Sequence, residues 1–137
     1  MLKRLIAALL FTLPMLASAE LVVVTSNNAT LNSLSENEAK QLFSGQLRQL
    51  GGNRVQPLDL PSSNKAREEF YRKLLGRSPE QMRAYWTRLI FTGQGQPPRE
   101  VSGAQEMTTL LNSSAEFIGY LPAAELTGTM KVLYRLP

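Results

Sequence analysis

The sequence lacks the residue types on which many enzymes and metal sites depend. Its 137 residues include no cysteine, no histidine and a single aspartate, Asp59. Without cysteine or histidine, the chain cannot form a Ser-His-Asp triad, a thiol nucleophile, an imidazole or thiolate metal site, or a disulfide bond. Any catalysis would rest on serine, threonine, tyrosine, lysine or carboxylates. The composition therefore favours a protein that is not an enzyme and that holds no metal or cofactor.

The amino-terminal 19 residues have the pattern of a secretory signal peptide. Lys3 and Arg4 precede an apolar stretch over residues 5–16, and Ala17-Ser18-Ala19 supplies small residues for a peptidase cleft. We expect cleavage before Glu20, so that residues 1–19 are the signal and residues 20–137 form one domain. A membrane anchor is the alternative, but the apolar stretch is shorter than the about 20 residues that span a bilayer. The pattern predicts export, with no membrane anchor after cleavage.

The charge of the mature chain is small. Removing Lys3 and Arg4 from the 15 basic residues leaves 13 against 11 acidic residues, a net charge of +2. This balance gives little support for nucleic-acid binding and does not argue for or against the binding of small anions.

Several arginines are interleaved with Tyr71, Tyr85 and Trp86. Their helical spacing places the aromatic residues on apolar faces, so we interpret the arginines as a solvated outer face and predict no nucleic-acid partner.

Hydrophobic patterns and breaker residues predict an α/β fold. An apolar run from Leu21 to Val24 indicates a buried first strand. The later elements are helices at 36–43, 66–75, 79–91 and 104–111, strands at 54–60, 116–121 and 130–136, and a helical turn at 122–126. Capping boxes at 35–38 and 78–81 mark two of the helix starts. Helices lie between most strands, so the predicted class is α/β, with a central mixed sheet flanked by helices.

The most suggestive local feature is the segment from Leu60 to Arg67, where a predicted strand meets a predicted helix. Ser62, Ser63 and Asn64 are small polar residues at a helix start, and Arg67 lies one turn further on. Helix starts offer unpaired amides and a positive dipole end, so these four residues are the candidate site for an oxyanion. Ordinary capping of the helix by Ser62, Ser63 or Asn64 is the alternative.

Asp59 immediately precedes this segment. As the only aspartate in the chain, it could orient a ligand hydroxyl or a protonated oxyanion. It could instead cap the turn, which is the more common role of aspartate at such a position. No pair of carboxylates is spaced to act as acid and base on a common point, so no catalytic set of residues emerges.

Four segments together resemble one known family. They are Ser62-Ser63-Asn64 opening the helix at 66–71, residues 84–88 with the loop at 91–95, Phe117-Ile118-Gly119-Tyr120-Leu121, and Leu42-Phe43-Ser44-Gly45. This pattern is similar to the phosphate ABC-transporter substrate-binding proteins, here in a short form with a single lobe. The resemblance implies one lobe of a type II periplasmic binding-protein-like fold and a periplasmic location.

The resemblance also implies where a ligand would bind. In the family, a Ser-Gly-Thr turn at a helix start donates hydrogen bonds to phosphate, a role that would fall on Ser62, Ser63 and Asn64. This sequence lacks the central glycine of that turn, and residues 57–60 lack the arginine that usually precedes it. Arg67 is the available substitute for that arginine.

Two functional hypotheses follow from the resemblance. The first is a periplasmic module that binds phosphate or another oxyanion weakly, for an inner-membrane ABC transporter or sensor. The second is an interaction or scaffold protein that keeps the fold without binding a ligand. The 118 residues after the signal suffice for one lobe, and one lobe cannot close around a ligand. We therefore expect open, weak binding, or a partner that supplies the other wall of the site.

Overall fold

The computed structural model describes residues 20–137, and the predicted signal peptide at 1–19 lies outside them. The strands are β1 (Leu21–Ser26), β2 (Gln49–Leu50), β3 (Asn53–Arg54), β4 (Gln56–Asp59), β5 (Arg99–Glu100), β6 (Phe117–Pro122) and β7 (Met130–Arg135). The helices are α1 (Glu36–Phe43), α2 (Lys65–Leu75), α3 (Pro79–Phe91) and α4 (Ala104–Ser113), with a 3-10 turn at Ala123–Glu125. None of the helices in residues 20–137 is long and apolar enough to cross a membrane.

Five of the strands form one mixed sheet, in the spatial order β5-β4-β6-β1-β7. β4 runs parallel to β5 and β6, whereas β1 runs antiparallel to both of its neighbours, β6 and β7. All six residues of β1 are buried, as expected for an apolar run at the interior of a covered sheet. The predicted class, an α/β fold with a central mixed sheet flanked by helices, is confirmed.

The predicted strand at 54–60 is divided in the structure. Residues 53 and 54 pair with β2 in a small hairpin, and Gly51 and Gly52 form its turn with φ of 57° and 80°. Glycine reaches these left-handed conformations without steric cost. The amide of Val55 then donates to the carbonyl of Arg48 at 2.9 Å, and β4 begins at Gln56. β2, β3 and β5 have two residues each, too few to show a hydrophobic period.

The helix boundaries follow local capping chemistry. Ser35 with Glu38 and Ser78 with Gln81 each form the predicted capping box. α2 begins at Lys65, because Oδ1 of Asn64 accepts a hydrogen bond from the amide of Ala66 at 2.9 Å. Among the three residues considered as caps for this helix, Asn64 is therefore the one that fills the role.

Aromatic side chains tie the helices to the sheet. The rings of Phe70 in α2 and Tyr120 in β6 stack with centroids 3.7 Å apart, and Phe43 in α1 meets both rings edge-on. On β6, α4 packs so closely that a Cβ at Gly119 would collide with Sδ of Met107. These contacts fix α2 and β6 relative to each other, which positions the site described next.

Candidate functional site

The carboxyl ends of the parallel strands define one edge of the sheet. β4 leads through Pro61 into the amino terminus of α2, and β5 leads through Ser102 and Gly103 into the amino terminus of α4. In open α/β sheets this edge is where ligands bind, and helix amino termini there favour anions. The candidate residues predicted from the sequence lie at this edge.

Asp59, the last residue of β4, is the centre of a buried polar cluster. Its side chain is 3% exposed. Oδ1 accepts a hydrogen bond from the phenol of Tyr120 at 2.5 Å, and Oδ2 accepts one from the phenol of Tyr71 at 2.7 Å. Asp59 therefore neither caps the turn nor faces solvent, and both of its side-chain oxygens already have protein donors.

Arg67 closes this cluster on the solvent side. Its Nε lies 3.6 Å from Oδ2 of Asp59, and a terminal nitrogen lies 3.3 Å from Oε2 of Glu100. The same nitrogen donates to the carbonyl of Leu60 at 3.0 Å. The guanidinium thus bridges β4 and β5, and its charge is balanced by two carboxylates within the protein.

Burial controls the protonation of the cluster. It raises the pKa of Asp59 above the ordinary 3.8, against the opposing effects of Arg67 and of the hydrogen bonds from Tyr120 and Tyr71. Burial, together with the neighbouring charge of Asp59, also raises the pKa of Tyr71 and Tyr120 well above the ordinary value. Both phenols are therefore protonated donors at neutral pH. The cluster holds the strand ends together.

The four predicted site residues divide into two roles. Asn64 is the cap of α2, and Arg67 belongs to the buried cluster. Ser62 and Ser63 are exposed in the turn between β4 and α2. Ser62 and Arg67 also line one end of a groove of about 330 Å³ between α2 and α3, together with Tyr71, Met82 and Trp86. The site is thus an open turn beside a groove.

Unpaired backbone amides remain at this turn. Among the hydrogen bonds within residues 20–137, none is donated by the amide of Ser62, Ser63 or Lys65. The amide of Asn64 donates to the carbonyl of Pro61 at 2.9 Å, which folds the turn back on itself. Three free amides and two exposed hydroxyls at a helix amino terminus can donate to an anion.

Two buried residues of this cluster, Tyr71 and Tyr120, and the exposed partner of Arg67, Glu100, were not identified from the sequence. Tyr71 matched the apolar face of its helix, Tyr120 lay within a predicted strand, and Glu100 followed a predicted loop. The contact between Tyr120 and Asp59 joins residues 61 apart in the chain. No local pattern reports such a contact. The one available signal was the single aspartate at a strand end, which needs partners when it is buried.

The elements and this edge together define a fold. An α/β lobe, with helix amino termini at the carboxyl edge of a mixed sheet, has the architecture of one lobe of a periplasmic binding protein. Comparison with solved structures supports this fold. The chain superposes on an ABC-type phosphate transport receptor from Vibrio cholerae with a TM-score of 0.66 at 17% identity, covering 84% of this chain and 45% of that chain.

Two further structures match equally well. One, from Clostridium perfringens, is described as a phosphate ABC transporter substrate-binding protein and contains bound phosphate; its TM-score is 0.67 at 15% identity, covering 84% of this chain and 44% of that chain. The other is PstS from Borrelia burgdorferi, with a TM-score of 0.64 at 15% identity, covering 84% of this chain and 46% of that chain. The chain therefore has the fold of phosphate-binding transport proteins and spans less than half of their length. No protein-family model and no curated protein sequence matches it.

Proposed function

We propose that residues 20–137 form a periplasmic module that binds phosphate or another oxyanion weakly, at the turn formed by Ser62, Ser63, Asn64 and Arg67. The observation that carries this proposal is the set of unpaired amides and exposed hydroxyls at the start of α2. The neighbours in fold, one of them with bound phosphate, support the same ligand class. Residues 1–19 are, in this proposal, the export signal, and an inner-membrane ABC transporter or sensor is the partner.

Weak binding follows from how Arg67 is used. Its guanidinium is committed to Asp59 and Glu100, so an incoming anion would compete with two carboxylates for it. The described lobe also supplies one wall only, whereas ligand pockets usually enclose most of the ligand surface. A partner at this edge would complete the enclosure and exclude water, which strengthens hydrogen bonds to an anion.

The proposed module is a binding protein without catalytic activity. An oxyanion at the turn would meet backbone amides and hydroxyls, which can hold it in place. Asp59, at the end of β4, is buried, and both of its side-chain oxygens accept hydrogen bonds from phenols. Asp59 is therefore not free to act as a general acid or base on an anion at the turn.

Titration calorimetry of the domain with phosphate and with sulfate tests this proposal. We expect binding at millimolar concentration, together with NMR shifts of the amides of Ser62, Ser63 and Lys65. The double variant Ser62→Ala, Ser63→Ala should weaken binding. A matched control is Ser33→Ala, which removes an exposed hydroxyl elsewhere. If neither anion binds at millimolar concentration, the ligand-binding proposal is wrong.

An interaction or scaffold protein is the second candidate, and two observations favour it. The charge of Arg67 is already balanced, and α3 exposes two large apolar side chains, Ile90 at 56% and Phe91 at 90%. An exposed aromatic residue of this kind is typical of protein interfaces. If this candidate is correct, Phe91→Ser should abolish retention of a defined periplasmic partner, with or without phosphate. Equal retention by both forms would argue against it.

A further inference from the structure

A second cavity lies at the opposite edge of the sheet, where the parallel strands begin. It has a volume of about 280 Å³, close to the lower end of the range of about 300–1,000 Å³ typical of small-molecule pockets. Val55, Pro57 and Pro97 are among its apolar lining residues, and three arginines line it as well: Arg48, Arg54 and Arg99. The cavity thus combines apolar walls with three cationic side chains.

The backbone of this cavity is closely packed. Gly45 lies in its lining with φ of 78°, and a Cβ at this position would approach the carbonyl of Gln96 to 3.2 Å. The left-handed conformation and the close approach both favour glycine. The loop after α1 and the segment before β5 therefore meet directly, so the two segments that carry Arg48 and Arg99 are held in contact.

The three arginines have no partners within residues 20–137. All three are exposed, and none of them forms an ion pair or donates a side-chain hydrogen bond to another described residue. Arg67 and Arg135, in contrast, both pair with carboxylates. Positive side chains around a concave site repel one another and raise the local concentration of anions.

Two carboxylates near this region have other partners. Oε2 of Glu106 accepts hydrogen bonds from the hydroxyl and the amide of Ser102, at 2.6 and 3.1 Å. These bonds, more than the charge of Arg99, lower the pKa of Glu106. Glu116 accepts a hydrogen bond from the side chain of Gln56 at 3.0 Å. Neither carboxylate lines the cavity, so the positive charge of its three arginines is not balanced from within.

This cavity is separate from the turn at Ser62. β4 begins with Gln56 at the cavity and ends with Asp59 in the buried cluster. At about 3.3 Å per residue, these two positions are roughly 10 Å apart along the strand. β5 has the same arrangement, because Arg99 lines the cavity and Glu100 pairs with Arg67.

We propose that this cavity binds a small polyanion that carries two or more phosphate or carboxylate groups. A guanidinium presents a planar set of donors that matches one carboxylate or phosphate group. Three guanidiniums, two from the hairpin of β2 and β3 and one from β5, therefore fit a ligand with several such groups better than a single monoanion. This inference does not depend on the function proposed for the Ser62 turn.

Titration calorimetry with pyrophosphate and with citrate tests the proposal, and the two probes distinguish phosphate from carboxylate ligands. The triple variant Arg48→Gln, Arg54→Gln, Arg99→Gln should raise the dissociation constant at least tenfold. A matched control is Arg72→Gln, Arg83→Gln, Arg88→Gln, which removes the same charge from three exposed arginines of α2 and α3. We expect this control to bind within about twofold of the natural sequence.

NMR titration with the same probes locates the binding. We expect the largest shifts at the amides of Arg48, Val55 and Arg99, and small shifts at Ser62 and Ser63. Three results would each overturn the proposal. They are no binding of either probe at millimolar concentration, an equal loss of affinity in the matched control, and shifts centred on the start of α2.

Discussion

The phenol of Tyr120 donates a hydrogen bond of 2.5 Å to Oδ1 of Asp59, joining the middle of β6 to the end of β4 inside the sheet. The amide of Leu60 donates to the same phenol oxygen at 3.3 Å. One hydroxyl group therefore satisfies a buried carboxylate and a buried amide together. This relationship ties the carboxyl edge, where the proposed oxyanion site lies, to the core of the domain.

Tyr120→Phe should destabilise the domain by about 1–3 kcal/mol, since it leaves a buried acceptor and a buried donor without a partner. Phenylalanine keeps the ring that stacks on Phe70, so packing should change little. Urea denaturation followed by circular dichroism measures the difference. Tyr134→Phe is the control, because the phenols that donate to Asp59 are those of Tyr71 and Tyr120 and not that of Tyr134. A loss for Tyr120→Phe no larger than that of the control would contradict the role given to this hydroxyl.

The buried carboxyl of Asp59 should make stability depend on pH. Because burial raises its pKa in the folded state, the native protein binds this proton more tightly than the unfolded chain. The stabilisation that comes from binding this proton is then fully present below pH 3.8. It is lost as the pH rises through the pKa of Asp59 in the folded protein. We expect the free energy of unfolding, relative to that of Asp59→Asn, to fall with rising pH. Urea denaturation of both proteins from pH 3 to 8 tests the sign. A difference that grows with pH would show that Arg67 and the phenols outweigh desolvation.

Arg67→Ala should destabilise the domain by about 1.5–3 kcal/mol, the range for hydrogen bonds to charged groups. The variant leaves Asp59 without its cation and the carbonyl of Leu60 without its donor. Arg72→Ala, an exposed change in the same helix, should alter stability by less than about 0.5 kcal/mol. Thermal and urea denaturation of the two variants gives the comparison. Equal losses would contradict the role given to Arg67 in the cluster.

Gly119→Ala should cost about 1–3 kcal/mol, the usual range for overpacking a core. The added methyl group would collide with Sδ of Met107, which packs α4 onto β6. Gly128→Ala is a matched control, since no atom lies within 4 Å of a Cβ at that position. The melting temperature measures both effects. If the two variants have the same melting temperature, α4 can move away from the sheet at little cost.

Much of the fold could be predicted because its signals are local. The capping boxes at Ser35 and Ser78 each involve residues three apart, and both form as predicted. The apolar run at Leu21–Val24 predicted a buried strand, since such a run needs cover on both faces, and β1 is buried between β6 and β7. The edge strand β5 could not be predicted. It consists of Arg99 and Glu100, which carry no hydrophobic pattern and become a strand only by pairing with β4.

The sequence predicted where the candidate site lies along the chain, but not which partners its side chains have. Ser62, Ser63 and Asn64 do lie at a helix amino terminus, because small polar residues after a strand favour that role. Arg67 was expected to face a ligand, and it pairs with Asp59 and Glu100 in the structure. Whether these four residues bind an oxyanion remains a prediction.

The sequence by itself determined the four α-helices, the longer strands and the absence of histidine and cysteine chemistry, because composition, capping and periodicity act within a few residues. Only the tertiary structure decided which charges are balanced. In the structure, Arg67 lies between two carboxylates. Arg48, Arg54 and Arg99 line one cavity whose lining contains no carboxylate. The physical reason is that electrostatic partners are chosen by distance in space, and strands and helices from separate parts of the chain set those distances.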